Sequence, residues 1–296
     1  MEKTLYNLFS GNHQLMEITQ IWLWVMLATA LLCFLVSEIT RNYSQVDKLW
    51  SLMPIAYSII TLVAFPASAR LWLMTILISL WGFRLSYNFS RKGGYNIVPW
   101  RGEEDYRWSI MRSLPFLKGR FRFGLFNLFF ISLYQHLLIL LFCAPILLAA
   151  QYNEKPLSPF DAIPALFMLL FIAIETIADN QLFSFQQQKK NITPRESRFA
   201  DSLTKGFLSQ GLFSRVRHPN FASEQAIWVS LYFLGVVASG EWFNWSAIGA
   251  IFLILLFQGS SMLTEIISSQ KYPEYAAYQK AVPRFFPNLF RRNLPR

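Results

Sequence analysis

Charged residues are scarce in this chain. Only 15% of its 296 residues are Asp, Glu, Lys or Arg, whereas 54% are apolar and the mean hydropathy is +0.31. Because soluble domains carry about a quarter charged residues, this composition excludes an ordinary soluble protein. The 28 Phe, 12 Tyr and 10 Trp give an aromatic content that suits contact with lipid tails and headgroups.

Cysteine and histidine are also rare, which limits the available chemistry. Cys33 and Cys143 each lie in an apolar run, so they can build neither a disulfide framework nor a Cys-based zinc site, and we expect buried thiols. The three histidines show no helical His or Glu pairing, so we expect no metal. His136, beside Gln135, is predicted to be a hydrogen-bonded packing element. The sequence contains no dinucleotide-binding glycine fingerprint, P-loop or nucleophile elbow.

Long apolar runs dominate instead. About 20 apolar residues cross a hydrocarbon core of about 30 Å as a helix. Seven such candidates occur, roughly at residues 21–39, 50–65, 71–89, 123–150, 160–185, 221–239 and 243–267. The sequence therefore predicts an all-α integral membrane bundle of seven transmembrane helices. The first run lacks a convincing cleavage site and is expected to remain as the first span.

The basic residues sort to one side of this seven-span arrangement. They lie at positions 41 and 48, in 91–122, in 189–217 and in the tail from 271, against only Lys3, Arg70 and Lys155 on the other side. Cytoplasmic loops carry the excess of Lys and Arg, which places the N-terminus outside and the C-terminus in the cytoplasm. This sorting explains most of the net charge of +10 without nucleic acid. We expect a multi-pass protein of a bacterial inner membrane or the endoplasmic reticulum.

Ionisable residues in or beside the spans gather at one depth. An ionisable group inside a span is expensive, so it is by default a candidate functional residue. The informative ones are predicted to lie in the cytoplasmic half: Asp47, Arg84, Glu175, Asp179, Glu224 and Glu265. This indicates a cavity open to the cytosol. The alternative is that each is an interfacial or paired residue, and a helix N-terminus would favour the charge of Asp47 and Glu224.

One segment carries a distinctive motif. Residues 211–224 read GLFSRVRHPNFASE, a cationic loop followed by a proline at a helix start and by Asn220 and Glu224 in the first turn. Such an arrangement can hold phosphates and an amide together. The pattern G-L-[FW]-x-x-x-R-H-P-N-[FY]-x-x-E resembles the signature of the steroid 5-alpha-reductase C-terminal family, in its bacterial-type, uncharacterised DUF1295-like branch of membrane reductases.

Further stretches are similar to the other blocks of that family, so that the resemblance spans about residues 40–290. They are SQVDKLW at 44–50, WGFRL at 81–85 followed by Arg91, GEEDYR at 102–107, ADNQ at 178–181, and YAAY at 275–278 before FFP at 285–287.

The resemblance implies a membrane reductase that binds NADPH in its cytoplasmic half and reduces a conjugated double bond of a lipid, such as a sterol or an enoyl chain. It divides the chain into an N-terminal segment 1–20, a membrane domain 21–268 and a cytoplasmic tail 269–296 that closes the site. Catalytic roles would fall to Asp47 and Arg84. The implied cofactor-binding residues are Arg91, Asp179, Arg215, Arg217, His218, Asn220, Glu224, Tyr275 and Tyr278, with Asn220 and Glu224 at the nicotinamide end and Asp179 at the adenosine side.

The sequence departs from the steroid branch at two places. Trp81 stands where that branch has a tyrosine that polarises the substrate carbonyl, and either Tyr57 or Tyr87 would have to replace it. Ser260, Ser261 and Glu265 stand where the branch is cationic. Two alternatives stay open: an S-adenosylmethionine-dependent methyltransferase similar to the isoprenylcysteine carboxyl methyltransferases, whose cofactor segment the R-H-P motif also resembles, and a non-catalytic lipid-binding protein.

Overall fold

The computed structural model describes residues 13–98, 100–191 and 197–287. Over these residues the chain forms helices joined by turns and short loops, without any strand. The long helices are α1 (His13–Thr40), α3 (Met53–Ala64), α4 (Ala69–Arg91), α9 (Pro159–Asn191), α11 (Pro219–Ser239) and α12 (Ala247–Lys271). The short ones are α2 (Gln45–Leu49), α5 (Tyr106–Ser113), α6 (Arg120–Phe126), α7 (Gln135–Phe142), α8 (Ala144–Gln151), α10 (Ala200–Lys205) and α13 (Tyr275–Ala281), with a π-helix at Asn127–Tyr134 and a 3₁₀ turn at Gly211–Ser214.

Each of the seven segments that the sequence predicts as spans is helical. Five are long and apolar enough to cross a membrane: His13–Thr40, Arg120–Gln151, Pro159–Lys190, Pro219–Ser239 and Ala247–Lys271. The second predicted span, α3, is an apolar helix of only 12 residues, and the third, α4, is a helix of 23 residues that includes three arginines. The five long apolar helices indicate a membrane protein.

The fourth predicted span is irregular rather than a uniform α-helix. Its middle is the π-helix, where Asn127 Nδ2 donates 2.9 Å hydrogen bonds to Ser37 Oγ and Glu38 Oε1 of α1. Nδ1 of His136 lies 2.7 Å from Ser132 O, so the prediction of a hydrogen-bonded packing histidine is confirmed. The helix is interrupted again at Cys143, just before α8, whose second residue is Pro145.

The chain divides into two compact units, and the first contains residues 1–165 and 230–252. Cys33 and Cys143 are both buried in this unit, as predicted. Ser68 caps the N-terminus of α4, and Gly82 lets α4 lie close to α3 and to the residues before it: a Cβ at Gly82 would lie 2.6 Å from Ile55 Cδ1 and 2.7 Å from Ser51 O. Arg70 forms a buried ion pair with Asp161, with Nε 2.7 Å from Oδ1.

The second unit contains residues 166–229 and 253–296. Its apolar core joins α9 to the segment before α11, and its buried members are Ala178, Phe185, Phe199, Leu208 and Phe213. Lys189 closes the same region, because its Nζ donates to Gly206 O and, at 2.9 Å, to Tyr272 Oη. The unit thus fixes the loop that carries the distinctive motif.

Candidate functional site

The start of the motif is held by an amide side chain of α9. Gln181 Oε1 accepts a 2.9 Å hydrogen bond from Leu212 N. Gly211 has φ +65°, and a Cβ there would lie 2.5 Å from Gln181 Oε1, so both the backbone conformation and the close approach favour glycine. The ADNQ stretch at 178–181 and the GLF stretch at 211–213 are therefore in direct contact in the fold.

The carboxylates of the motif region are buried. Glu224 is 4% exposed in the second turn of α11, where its Oε1 accepts a 3.0 Å hydrogen bond from Trp228 Nε1. Asp179 and Glu175 are each 4% exposed on α9, one helical turn apart. Asn220 is half-buried at the second position of α11. The N-terminus of α11 thus offers a positive dipole end with an amide and a carboxylate nearby.

Glu265 of α12 is the centre of an ionic cluster in the second unit. It is 3% exposed. Arg217 Nε donates to Oε1 at 2.7 Å, His218 Nε2 lies 2.9 Å from the same oxygen, and Arg284 Nη2 lies 3.2 Å from Oε2. Gln279 Nε2 donates to Oε2 at 3.0 Å. We call Glu265 and these four partners the Glu265 cluster. The sequence has an acidic residue, Glu265, where the steroid branch is cationic. The positive charge around Glu265 comes from Arg217 and Arg284, which lie outside α12.

The tail is bound to the motif through the same cluster. The Arg217 guanidinium also donates to the carbonyls of Gln279, at 2.8 Å, and Val282. Backbone N–H groups of Arg217 and His218 donate to the carbonyls of Pro283 and Arg284 at 2.9 and 3.1 Å. Segment 217–218 and segment 282–284 therefore form one structural element.

Two tyrosines of α13 complete this contact. Tyr278 Oη donates to Phe213 O at 2.5 Å, and the rings of Tyr275 and Tyr278 lie 5.0 and 5.2 Å from that of Phe207. Burial raises the pKa of Tyr275 to about 12 and raises the pKa of Tyr278 as well. Both phenols are therefore protonated near neutral pH, and that of Tyr278 acts as a hydrogen-bond donor.

Arg215, Arg217 and His218, the side chains of the motif that the resemblance assigns to phosphates, have different surroundings. Arg217 and His218 are engaged with Glu265, whereas the Arg215 side chain is exposed. The residues therefore fit a phosphate-bearing cofactor in part: Arg215 and the α11 N-terminus can receive an anion, while Arg217 and His218 are already used to hold the tail. Among the described residues, no group of three or more His, Cys, Asp or Glu side chains could hold a metal ion.

Asp47 lies in the first unit, inside a contact between segment 42–48 and segment 100–108. Trp108 Nε1 donates to Asp47 Oδ2 at 3.2 Å, and Ser44 also hydrogen-bonds to this carboxylate. Arg107, the cation whose charge acts on Asp47, is bound to Asp105 at 2.7 Å. Asp47 is half-buried as a residue, but its carboxylate is desolvated, and this burial raises its pKa.

Several further hydrogen bonds close this contact, which we call the Asp47 clasp. They join Asn42 Nδ2 to Gly102 O, Tyr43 N to Glu104 Oε1, Asp105 N to Ser44 Oγ, and Lys48 Nζ to Arg101 O, at 2.7 to 2.9 Å. The SQVDKLW and GEEDYR blocks are thus partners in one structure. Sequence reasoning placed Asp47 but missed Trp108, for which the sequence gives no signal other than an indole in a polar loop.

The remaining predicted residues lie on α4 of the first unit. Arg91 donates to Asn88 Oδ1 at 2.7 and 3.0 Å, and Arg84 is half-buried. Trp81 is fully buried. Of the two tyrosines that could replace a phenol at Trp81, Tyr57 is fully buried and Tyr87 is 67% exposed. The catalytic roles of Asp47 and Arg84 remain predictions.

Comparison with known proteins places the chain in a family. The matching family model is described as Protein of unknown function (DUF1295) and covers residues 33–282. A Schizosaccharomyces pombe relative, described as uncharacterized protein C594.04c, is 41% identical over 266 residues, which are 86% of this chain and 75% of the relative. No solved structure matches the chain significantly. The chain belongs to the DUF1295 family of proteins of unknown function.

Proposed function

We propose that this protein is a membrane-embedded, NADPH-dependent reductase that saturates a conjugated double bond of a sterol-like or enoyl lipid. The observation that carries the proposal is the environment of Asp47. Its carboxylate is desolvated, its hydrogen-bond donors are neutral, and its pKa is raised. Reduction of a conjugated bond needs a proton as well as a hydride, and a carboxyl group of this kind can donate that proton.

The cofactor-binding part of the proposal rests on the second unit. NADPH would supply the hydride. Arg215 and the N-terminus of α11 would hold phosphate, Asn220 and Glu224 would hold the nicotinamide amide, and Asp179 would bind the adenosine side. Arg217, His218, Tyr275 and Tyr278 would act by fixing the loop and the tail around the cofactor, because their contacts join these two segments. The cofactor-binding role of Arg91, which belongs to the first unit, stays a prediction.

The topology of the proposal is seven spans with an external N-terminus and a cytoplasmic C-terminus. It counts α3 and α4 as crossings in addition to the five long apolar helices, and it is supported by the sorting of basic residues. A cysteine introduced in the 151–158 loop should react with an impermeant thiol reagent outside intact cells, whereas one near Gly93 should not. The native cysteines are buried, so background labelling should be low. Labelling of both introduced cysteines from one side would refute the topology.

A methyltransferase is the second candidate, and one observation favours it. Arg217 and His218 are occupied by Glu265, which leaves fewer cations for phosphates. S-adenosylmethionine carries a sulfonium and no phosphate, so its binding needs fewer cationic side chains than the binding of NADPH. Transfer of a methyl group to a carboxylate, however, requires no acid such as Asp47. A non-catalytic lipid-binding protein would need neither the acid at Asp47 nor the cofactor-binding residues.

Cofactor binding by the Glu224→Gln variant tests the proposal. If the carboxylate binds the nicotinamide amide, the variant should bind NADPH more weakly by about 1–3 kcal/mol, the value of a charge-assisted hydrogen bond. The measurement is titration of purified protein in detergent with NADPH and, in parallel, with S-adenosylmethionine. Glu154→Gln, at an exposed position, is the matched control. Tight binding of S-adenosylmethionine without NADPH binding would replace the reductase proposal with the methyltransferase.

A further inference from the structure

The segment that leads into the fourth predicted span is basic and has no acidic residues of its own. No Asp or Glu occurs between Asp105 and Glu154, whereas residues 106–126 contain five cations: Arg107, Arg112, Lys118, Arg120 and Arg122. The acids just before this segment are bound to the first two cations, because Asp105 pairs with Arg107 at 2.7 Å and Glu104 pairs with Arg112. The positive charge of the last three is therefore not balanced locally.

Lys118, Arg120 and Arg122 lie within one short stretch of the first unit and are all exposed. In the parts of the chain that the structure describes, none of the three side chains forms an ion pair or a hydrogen bond. An exposed ion pair contributes little to stability, so the fold has no need of counterions here. These cations are available to a negatively charged partner outside the protein.

The backbone that carries the three cations is held at both ends. Leu117 is buried, and its N–H donates to Leu114 O at 3.0 Å in a turn. Phe123 N donates to Gly119 O at 3.0 Å, and the buried Phe123 ring lies edge-on to that of Tyr43, with centroids 4.7 Å apart. The cations between these two anchors are therefore presented by an ordered part of the fold.

Exposed apolar side chains accompany the cations. Phe116 and Phe121 are 66% and 77% exposed, and Leu125 and Phe129, at four-residue intervals after Phe121, are 42% and 60% exposed. Residues four apart lie on the same face of a helix, so this apolar face continues into Arg120–Gln151, which is long and apolar enough to cross a membrane. The cations thus lie where the lipid-facing surface begins, which is the level of phospholipid headgroups.

We propose that Lys118, Arg120 and Arg122, together with Phe116 and Phe121, bind anionic phospholipids at the membrane surface. We call these five residues the basic–aromatic surface. The cations attract the negatively charged headgroups, and the phenyl rings contact the adjoining acyl chains. Positions two apart on a helix differ in direction by about 200°, so the surface contacts neighbouring headgroups rather than enclosing one. It uses none of the residues assigned to catalysis or to the cofactor, so it is independent of the proposed reductase activity.

Photocrosslinking of lipids tests the surface. The full-length protein is placed in phosphatidylcholine nanodiscs that contain a photoreactive phosphatidylglycerol or, separately, a photoreactive phosphatidylcholine with the same acyl chains. Chymotryptic peptides from residues 114–126 should be labelled about fivefold or more in favour of phosphatidylglycerol, since each cation near an anionic surface contributes a factor of about five. Salt at about 1 M should weaken this preference, because it shortens the screening length to about 3 Å. Equal labelling of the parent by both probes would overturn the proposal.

Matched charge variants locate the effect. Arg120→Gln/Arg122→Gln should lower labelling by phosphatidylglycerol about tenfold or more and leave labelling by phosphatidylcholine unchanged. Lys190→Gln/Lys280→Gln removes two charges from exposed positions of the second unit and should keep the preference. Both double variants should melt at the parent temperature, because the replaced side chains have no partner in the described structure. An equal loss of preference in the second variant would show that only the net charge attracts the lipid, and would refute the surface.

Two further variants test the surface residue by residue. Lys118→Gln, in the loop before α6, should lower labelling by phosphatidylglycerol about fivefold. Phe121→Ala should lower labelling by both probes, because the phenyl ring contacts acyl chains whatever the headgroup. Parent-like labelling of both variants would contradict the proposal. NADPH is absent from these measurements, so their failure leaves the reductase proposal untouched.

Discussion

The Asp47 clasp and the Glu265 cluster surround a carboxylate with different hydrogen-bond donors. Glu265 receives hydrogen bonds from two arginines, a histidine and a glutamine. Asp47 receives hydrogen bonds from Trp108 and Ser44, and the neighbouring Arg107 is occupied by Asp105. A carboxylate surrounded by cations is fixed in its charged form and joins segments, whereas one surrounded by neutral donors can change its protonation state. The first arrangement suits a structural cross-link and the second suits proton transfer.

The largest effect on activity is expected when the acidic group of Asp47 is replaced by an amide. Asp47→Asn should lower lipid-dependent NADPH oxidation by about 10²- to 10⁴-fold, the usual contribution of a general acid, while NADPH binding remains. The assay follows NADPH absorbance in the presence of a membrane lipid extract. Asp201→Asn, at an exposed position of α10, is the control. Unchanged oxidation in Asp47→Asn would reduce Asp47 to a structural residue and remove the contrast with Glu265.

Neutralisation of Glu265 should cause the largest loss of stability. Glu265→Gln leaves the Arg217 guanidinium without its counterion in a position where the side chain is only 9% exposed, which should destabilise the protein by about 3–5 kcal/mol. Thermal unfolding of the purified protein measures this, and limited trypsin digestion should release the tail more readily. Glu274→Gln, at the exposed position immediately before α13, should change neither. A parent-like melting temperature of Glu265→Gln would mean that the cluster is not the tail's main attachment.

A smaller effect is expected on the pH dependence of stability, to which Asp47 and Asp105 contribute with opposite signs. The pKa of Asp47 is raised in the folded protein, so folding takes up a proton, and stability falls as pH rises from 3.8 through the folded pKa. The pKa of Asp105 is lowered because Arg107 outweighs the opposing effect of burial, so its contribution is present above 3.8 and is lost as pH falls through the folded pKa. Melting curves at a series of pH values should show that Asp47→Asn and Asp105→Asn remove opposite slopes. Slopes of the same sign would contradict the assigned environments.

The smallest effect is expected from Tyr278. Tyr278→Phe removes one hydrogen bond, from Oη to Phe213 O, and should cost about 0.5–1.5 kcal/mol of stability. Tyr106→Phe, at a position 52% exposed, should cost less. Chemical denaturation in detergent measures both. Equal losses of stability in the two variants would show that the Tyr278 hydroxyl contributes little and that Tyr278 holds the tail through its ring.

The helices could be predicted from the sequence because each long apolar run is itself the signal. The π-helix at Asn127–Tyr134 could not, because its first residue, Asn127, is bound to Ser37 and Glu38, which lie 90 and 89 residues away and are beyond the reach of local patterns. α9 continues beyond the predicted end at 185 to Asn191, and in this extension Lys189 is bound to the distant residues Gly206 and Tyr272.

The candidate site was predictable in its residues but not in their partners. Asp47, Glu224 and Glu265 stand out in the sequence because ionisable groups are costly in apolar surroundings. Their neighbours come from 4 residues away, as Trp228 does for Glu224, or from 61 residues away, as Trp108 does for Asp47. Local spacing rules reach only the first kind of pair.

The order of synthesis gives the Glu265 cluster a role in assembly. Arg217 and His218 are translated before Glu265, and the carbonyls of Val282, Pro283 and Arg284 that receive their donors are translated later still. Chains are made from the N-terminus at about 5–20 residues per second, so the donors of segment 217–218 are made on the order of seconds before these carbonyls. The second unit therefore reaches its final state only after residues 282–284 have been made, and a chain that ends near residue 270 would contain Glu265 but lack the tail carbonyls that segment 217–218 binds.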